Sequence, residues 1–373
     1  MGRWESADLL CLWRQRRWRS RGAYKLMGAA AAATCILLYL LAVSAPSTWD
    51  TPIQQLITPQ EDDVWSIAEA RLRMREARLE MDQRLRRVEE VCRRYNLGLY
   101  RQSSEPPSVK HPPTPQYSVF YIDKPHKISW CPIYKAASST WLYNFLLLGG
   151  MKEGSLKKPK EQLSVLARKM YPEPEYKDAE EAFGTTFKFM VVRHPFERLL
   201  SAYRDKLENS KVGLEHGVLH FYQKYGRHIV EKYRFNRTIG EKGDFKDRIE
   251  PTFPEFVRYL IDEDLVTRSD DHWIPFYLFC TPCLLRYDAI AKVETMRRDQ
   301  EYILRSAALL GVEGIKPRWR HQTRGGKTTD DMAKSYFSQL SEKQVLALYH
   351  KYSLDFDLFG YSPQKYLEYA RNG

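Results

Sequence analysis

The chain reads as an α/β protein with a central parallel sheet, carried behind a membrane helix and a helical stem. Three observations predict this. Two strand–loop–helix units occur in series, an uncharged run of 20 residues lies near the N-terminus, and a charged segment without Gly or Pro follows it. The 373 residues, 43% hydrophobic and 13% aromatic, exclude a mainly disordered chain and a disulfide miniprotein.

Leu26 to Ala45 is the uncharged run, and as a helix it spans about 30 Å, the thickness of a bilayer core. Residues 1–25 carry a net charge of +5, so the positive-inside rule keeps them in the cytosol and sends the rest to a lumen. A cleaved signal peptide is the competing reading. The long apolar run, the long basic region before it and Pro46 directly after it favour a signal anchor. Residues 46–116 then form a lumenal stem. Within it Glu61 to Tyr95 is a charged helix in which Ile67, Met74, Met81 and Val88 recur every seven residues. That seam suits a docking helix or a homodimer contact through the stem. The Pro/Ser-rich stretch Gln102 to Gln116 ends the stem, and residues 117–373 form a compact domain.

In the first unit, Lys127 to Ile133 is a strand, Tyr134 to Thr140 a small polar loop and Trp141 to Leu148 a helix. In the second, Phe187 to Val192 is a buried strand, Arg193-His194-Pro195 a turn and Phe196 to Leu207 an amphipathic helix. Pro195 suits a first helical turn, where a missing N–H costs nothing. Ser341 and Gln344 form a capping box that opens another helix.

The whole chain has a net charge of +12, and +8 of it lies on residues 96–373, which points to anionic ligands. A helix N-terminus is an anion site by its free N–H groups and its dipole. Lys135-Ala136-Ala137-Ser138-Ser139-Thr140 adds small residues, three hydroxyls and a cation at such a position. It is not a Walker A loop, because it has no Gly and its Lys leads the hydroxyls. The bland reading is an ordinary helix cap. Arg193 at the end of the second strand and Ser201 on the following helix offer a second anion site, with pairing to Glu197 as the bland reading. Two sites on neighbouring strands suit a ligand with two separated anionic ends.

Of six cysteines, Cys92, Cys131, Cys280 and Cys283 fall in the expected lumenal part. The oxidising compartment favours disulfides over a zinc or redox role for Cys280-Thr281-Pro282-Cys283, and all three pairings stay open. Asn236-Arg237-Thr238 is a glycosylation sequon. Arg318 to Thr329 is a basic, Gly-containing loop, either a solvated loop or one that closes over a cofactor or binds acidic polysaccharide.

CPIYKAASSTW and FMVVRHPFERLLSAYRDKL resemble the cofactor motifs of the Golgi membrane-bound carbohydrate sulfotransferases, in the branch acting on chondroitin, dermatan, N-acetylgalactosamine ends and the human natural killer epitope. His272-Trp273-Ile274-Pro275, Cys280 to Cys283, Tyr287 to Thr295, Tyr352 to Tyr361 and Val91 to Asn96 resemble that branch as well, and in the same order. The chain departs from it at Tyr134, Thr140 and His194, where Pro, Asn and an acidic residue are usual; the cation and the hydrogen-bonding groups are kept.

The resemblance implies a P-loop-like sulfotransferase fold that uses 3′-phosphoadenosine-5′-phosphosulfate. Lys135 with Ala136, Ala137, Ser138, Ser139 and Thr140 would hold the 5′-phosphosulfate, and Arg193 and Ser201 the 3′-phosphate. Lys135 is also a catalytic residue, placed to stabilise charge on the leaving oxygen. His272, in Asp270-Asp271-His272-Trp273, is the candidate base, with His194 and Glu294 as alternatives. The expected acceptor is a hydroxyl of a glycan or glycosaminoglycan, N-acetylgalactosamine in chondroitin or dermatan type chains. No metal is expected, and a lumenal domain does not meet nucleic acid. Two other classes compete. One is a metal-dependent Golgi glycosyltransferase using Asp262-Glu263-Asp264 or Asp355-Phe356-Asp357. The other is a non-catalytic binder of acidic polysaccharide.

Overall fold

The computed structural model describes residues 67–107, 109–208, 218–234, 250–318 and 329–370. The run Leu26–Ala45, the sequon at Asn236 and residues 319–328 of the basic loop lie outside them. Among the described residues no helix is long and apolar enough to cross a membrane.

The chain enters through α1 (Ile67–Arg94), which has a single buried edge. Ala77, Met81, Val88, Val91 and Cys92 are buried on it, whereas Leu72 and Leu79 are 56% and 53% exposed. Two of the seven-residue repeats, Met81 and Val88, are therefore used inside this fold. Polar contacts fix the helix to the rest of the fold: Arg84 donates to Ile290 O at 2.9 Å and to the buried Asp299 at 2.5 Å, and Arg298 bridges Glu80 and Asp299.

The sheet runs β1 (Tyr121–Asp123), β2 (Ile128–Cys131), β3 (Phe187–Val192), β4 (Ala289–Lys292), in that spatial order. β2, β3 and β4 are parallel, with Trp130 opposite Phe189 and Phe189 opposite Ala289. The expected parallel sheet forms in β2, β3 and β4, but β1 is antiparallel to β2, so the sheet as a whole is mixed. The reason is the short link: His126 N donates to Asp123 Oδ1 at 2.8 Å and Lys127 takes φ 53°. A four-residue turn makes only an antiparallel hairpin, because a parallel pair needs a crossover of a dozen residues or more.

Between β2 and β3 lie α2 (Ser138–Leu148), α3 (Leu163–Met170) and α4 (Tyr176–Thr185). After β3 come α5 (Pro195–Lys206), short helical turns at Val218–Phe221 and Arg227–Tyr233, α6 (Phe253–Asp262) and α7 (Phe276–Phe279). After β4 follow α8 (Met296–Ser306), α9 (Thr329–Phe337), α10 (Glu342–Phe359) and α11 (Gln364–Tyr369). The predicted strand 187–192 and the capping box Ser341/Gln344 both form. Alternate strand residues feed two cores. Trp130, Phe189, Val191, Ala289 and Ala291 meet α2, α3 and α8, while Cys131, Met190, Val192 and Ile290 meet α1, α4, α7 and α10. Burial on both faces is what parallel strands require. A third core packs α5, α6, α9, α10 and α11 around Phe196, Trp273, Phe337 and Phe356.

Cys92 is bonded to Cys283, and Cys131 to Cys280. The Cys280–Cys283 turn thus ties both α1 and β2. Gly98, at φ +52°, lets the chain pass that turn: a Cβ there would sit 2.1 Å from the Cys283 carbonyl oxygen.

Candidate active site

The loop from β2 into α2 is bent by two non-Gly residues in the left-handed region, Lys135 (φ 67°) and Ala137 (φ 60°). Such positions cost free energy and mark loops whose shape is imposed by their surroundings. No side chain caps α2, so the ordinary helix-cap reading fails and the first N–H groups of the helix are open to an anion. Ala136, Ser138 and Thr140 are buried, whereas Lys135, Ala137 and Ser139 are half-buried.

Lys135 Nζ pairs with Asp205 at 2.9 Å, and Lys206 pairs with the same carboxylate at 3.2 Å. Burial lowers the Lys135 pKa; Asp205 opposes this, and Lys206 and Arg193 push it further down. Burial also raises the Asp205 carboxyl, but Lys135 and Lys206 outweigh that and leave it below its usual value. Two cations therefore share one carboxylate at the loop that opens α2, within the field of Arg193.

Arg193 leaves the end of β3 and pairs with Glu197 at 3.3 Å, as its bland reading had it. Its field nonetheless reaches Lys135. Ser201 is half-buried two turns into α5.

His272 comes from the segment before α7. Its Nδ1 lies 2.6 Å from Asp270 Oδ1, and Asp270 Oδ2 accepts from the Tyr225 hydroxyl at 3.2 Å. A carboxylate there holds the proton on Nδ1 and leaves the Nε2 lone pair as the basic atom. The ring packs against Tyr134 at 4.7 Å and edge-on against Phe221 at 5.1 Å. Burial lowers its pKa; Asp270 opposes this, and Lys206 and Lys135 lower it further. His272 thus lies within the field of Lys135, although the two are far apart in sequence.

The alternative bases are engaged elsewhere. His194 accepts from Phe196 N through Nδ1 and donates from Nε2 to Ser362 O at 3.0 Å, and burial pushes its pKa down to about 4. Glu294 accepts from His194 N at 2.8 Å and from the Tyr361 hydroxyl at 3.0 Å.

Arg198 was not singled out from the sequence, yet it joins the parts. Its side chain is 1% exposed and lies over the Phe276 ring at 4.7 Å. Nε donates to Tyr134 O at 3.0 Å, Nη1 to Ile274 O at 2.5 Å and Nη2 to Asp271 O at 2.9 Å. One guanidinium so holds the residue before Lys135 against the residues flanking His272. In sequence it stands opposite its helix's apolar stripe of Phe196, Leu199, Leu200, Tyr203 and Leu207, where an Arg reads as part of a solvated face. Asp205 and Lys206, at the far end of that helix, were missed as well.

The remaining motif residues serve architecture. Asp355 is fully buried and accepts from Phe276 N at 2.7 Å and Tyr277 N at 3.0 Å. Asp357 accepts from the Tyr95 hydroxyl, and Asp264 pairs with Lys110. Both Asp-x-Asp triplets are thus occupied by internal contacts. Lys292 donates to Phe359 O, and Tyr287 to Cys280 O. Arg318, at the start of the basic loop, pairs with Glu153 at 2.6 Å.

Comparison with known proteins agrees with this geometry. The model of the sulfotransferase family matches residues 118–362. Carbohydrate sulfotransferase 11 of Rattus norvegicus is 32% identical over 292 residues, covering 75% of this chain and 76% of that protein. Carbohydrate sulfotransferase 14 of Danio rerio is 33% identical over 258 residues, covering 67% and 64%. Carbohydrate sulfotransferase 10 of Pongo abelii is 29% identical over 307 residues, covering 76% of each. No solved structure matches the chain.

Proposed function

The chain belongs to the sulfotransferase family and is a carbohydrate sulfotransferase, and from that premise we propose how its residues divide the work. The observation that carries the reading is the meeting of Lys135, His272 and the uncapped α2 N-terminus at one place, with Arg198 bridging their segments. The donor is 3′-phosphoadenosine-5′-phosphosulfate, which supplies the sulfuryl group and leaves as adenosine 3′,5′-bisphosphate. The cation cluster and the open N–H groups fit its phosphosulfate end. Lys135 with the loop to Thr140 holds that end, and Arg193 with Ser201 holds the 3′-phosphate once Arg193 turns from Glu197.

Nε2 of His272 takes the proton from the attacking sugar hydroxyl, while Asp270 keeps the ring oriented and stabilises its protonated form. Lys135 donates to the bridging oxygen as the S–O bond to the donor breaks and the new ester bond forms. Holding these groups in line supplies most of the rate, as in phosphoryl transfer. The acceptor is a hydroxyl of N-acetylgalactosamine in a chondroitin or dermatan type chain, a reading supported by the relatives of the same branch.

The enzyme sits in the Golgi membrane as a single-pass type II protein. Residues 1–25 are cytosolic, 26–45 span the membrane, 46–116 form the stem, 117–373 catalyse in the lumen, and Asn236 carries a glycan. Two disulfides support an oxidising lumen. Exposed Leu72 and Leu79 on α1 support a homodimer through the stem.

The test is incubation of the full chain with radiolabelled donor and a panel of desulfated glycans. Label enters chondroitin or dermatan, and Lys135→Ala, Arg193→Ala and His272→Ala each lose it. Label that needs manganese and a nucleotide sugar, or glycan binding without transfer that survives Lys135→Ala, refutes the proposal.

A further inference from the structure

Lys206 is the last residue of α5, and its side chain is 12% exposed, so it is neither sealed in the core nor free in solvent. A cation in the last turn of a helix usually serves the helix dipole and keeps its ammonium in water. Here the ammonium is drawn inward. It lies 3.2 Å from Asp205 Oδ2 and 4.9 Å from the centre of the Phe221 ring. Lys135 Nζ lies 2.9 Å from the same Asp205 oxygen. The Phe221 ring in turn meets His272 edge-on at 5.1 Å. A chain of contacts therefore runs from Lys135 through Asp205, Lys206 and Phe221 to His272.

One carboxylate cannot neutralise two ammonium groups. Asp205 carries a single negative charge and meets both lysines on one oxygen, so one positive charge is left over. An unbalanced, half-buried charge costs free energy that an arriving anion relieves. Asp205 is the most exposed of the three side chains, at 39%, and water can take its carboxylate when an anion replaces it. The field on His272 agrees with this placement. Burial lowers its pKa first, and of the cations that add to the effect Lys206 comes before Lys135.

We infer that Lys206 is a second cation for the sulfate end of the donor, sharing the sulfuryl oxygens with Lys135 once Asp205 gives way. This rests on the reading of Lys135 as a phosphosulfate ligand and extends it to the far end of the motif helix. Two cations on separate elements, the β2–α2 loop and the end of α5, hold the sulfur on one line, which a single ammonium on a flexible stem does not. In the transfer, the acceptor oxygen bonds to sulfur and the bond from sulfur to the bridging oxygen breaks. That electron pair leaves with adenosine 3′,5′-bisphosphate, the hydroxyl proton goes to His272, and Lys206 keeps its own protons. The spent nucleotide has no sulfuryl group, so it lacks the Lys206 contact and Asp205 recovers both lysines. Lys206 thereby makes the site prefer donor to spent nucleotide.

The test measures binding of the intact donor and of adenosine 3′,5′-bisphosphate to the full chain without acceptor, so that no glycan is sulfated. Lys206→Met removes the ammonium and keeps an unbranched side chain against Phe221. It should weaken the donor about tenfold or more, the worth of a charged hydrogen bond, and leave the bisphosphate within about twofold of wild type. Lys206→Arg keeps the charge and should keep most of the donor affinity. With acceptor added, kcat of Lys206→Met should fall about tenfold or more through lost alignment. Asp270, Lys206 and Lys135 are the charged groups that set the His272 pKa, so removing one of the two cations should move the acid limb of the pH–rate profile up. A purely structural Lys206 would not separate the two nucleotides. Equal loss of both nucleotides, or unchanged donor binding in Lys206→Met, overturns the second cation while the Lys135 reading stands. Unchanged donor binding in Lys135→Ala overturns both.

Discussion

Replacing Arg198 tests whether the Lys135 loop and the His272 segment are held together by one side chain. Its guanidinium makes three hydrogen bonds of 2.5 to 3.0 Å to carbonyls of Tyr134, Asp271 and Ile274 and is 1% exposed. Charged hydrogen bonds contribute about 1.5–3 kcal/mol each, so three could reach about 9 kcal/mol in isolation. Burying the cation costs several kcal/mol, visible in an Arg198 pKa that burial lowers to about 10. The net loss expected for Arg198→Ala is therefore about 3–5 kcal/mol. Arg198→Lys keeps the charge, but one ammonium cannot match a planar fork aimed at three carbonyls, so about 2–3 kcal/mol is expected. Activity should fall further than stability. A displacement of about 1 Å between Lys135 and His272 costs about 10²-fold in rate. Urea unfolding gives the first quantity, and kcat on protein kept below its transition gives the second. A folded Arg198→Lys enzyme with wild-type kcat would refute the bridging role.

Three further outcomes follow from the same contacts. The His272 pKa lies below its ordinary value, so the basic form persists under mildly acidic conditions, and kcat/KM should lose its acid limb only below about pH 6.5; Asp270→Asn should lower kcat about 10²-fold or more and move that limb further down, which a pH–rate profile reads. Cys92→Ser frees α1 from the Cys280–Cys283 turn and should cost about 2–5 kcal/mol in denaturant midpoint experiments, with the Cys131–Cys280 bond still formed by mass spectrometry. His194 is neutral in the folded state with a pKa of about 4, against about 6.5 when unfolded, so protons favour the unfolded chain between those values. Stability should fall as pH drops from 6.5 to 4, by about 3 kcal/mol from this group, and His194→Gln should flatten that slope in urea titrations; an unchanged slope counts against the buried neutral histidine.

Much of the fold, and the two loops of the candidate site, were legible in the sequence. The strand Phe187–Val192 was plain because both its faces are apolar, and Pro195 and Ser341 marked helix starts by local chemistry that needs no tertiary partner. β1 was missed. It is three residues long, and its pairing depends on the Asp123–His126 turn rather than on any periodicity. β4 has only four residues, and the string around it was noted only for its resemblance. Lys135 and Arg193 were legible because cations beside small polar loops are rare and chemically specific. Arg198 and Asp205 were not, because on a helix an Arg or an Asp usually means a solvated face.

The sequence alone determined the class of chemistry: an α/β scaffold, a small polar loop with a Lys after one strand, an Arg after the next, and four cysteines in an expected lumenal part. Those features are local, encoded in residue type and short spacing. Only the tertiary structure decided how they combine. It chose one of three disulfide pairings, gave the sheet an antiparallel edge, and set His272 against Asp270 while His194 and Glu294 were tied to Ser362 and to each other. Each of those outcomes depends on groups distant in the chain meeting at hydrogen-bond range, and that proximity is fixed by packing, not by spacing.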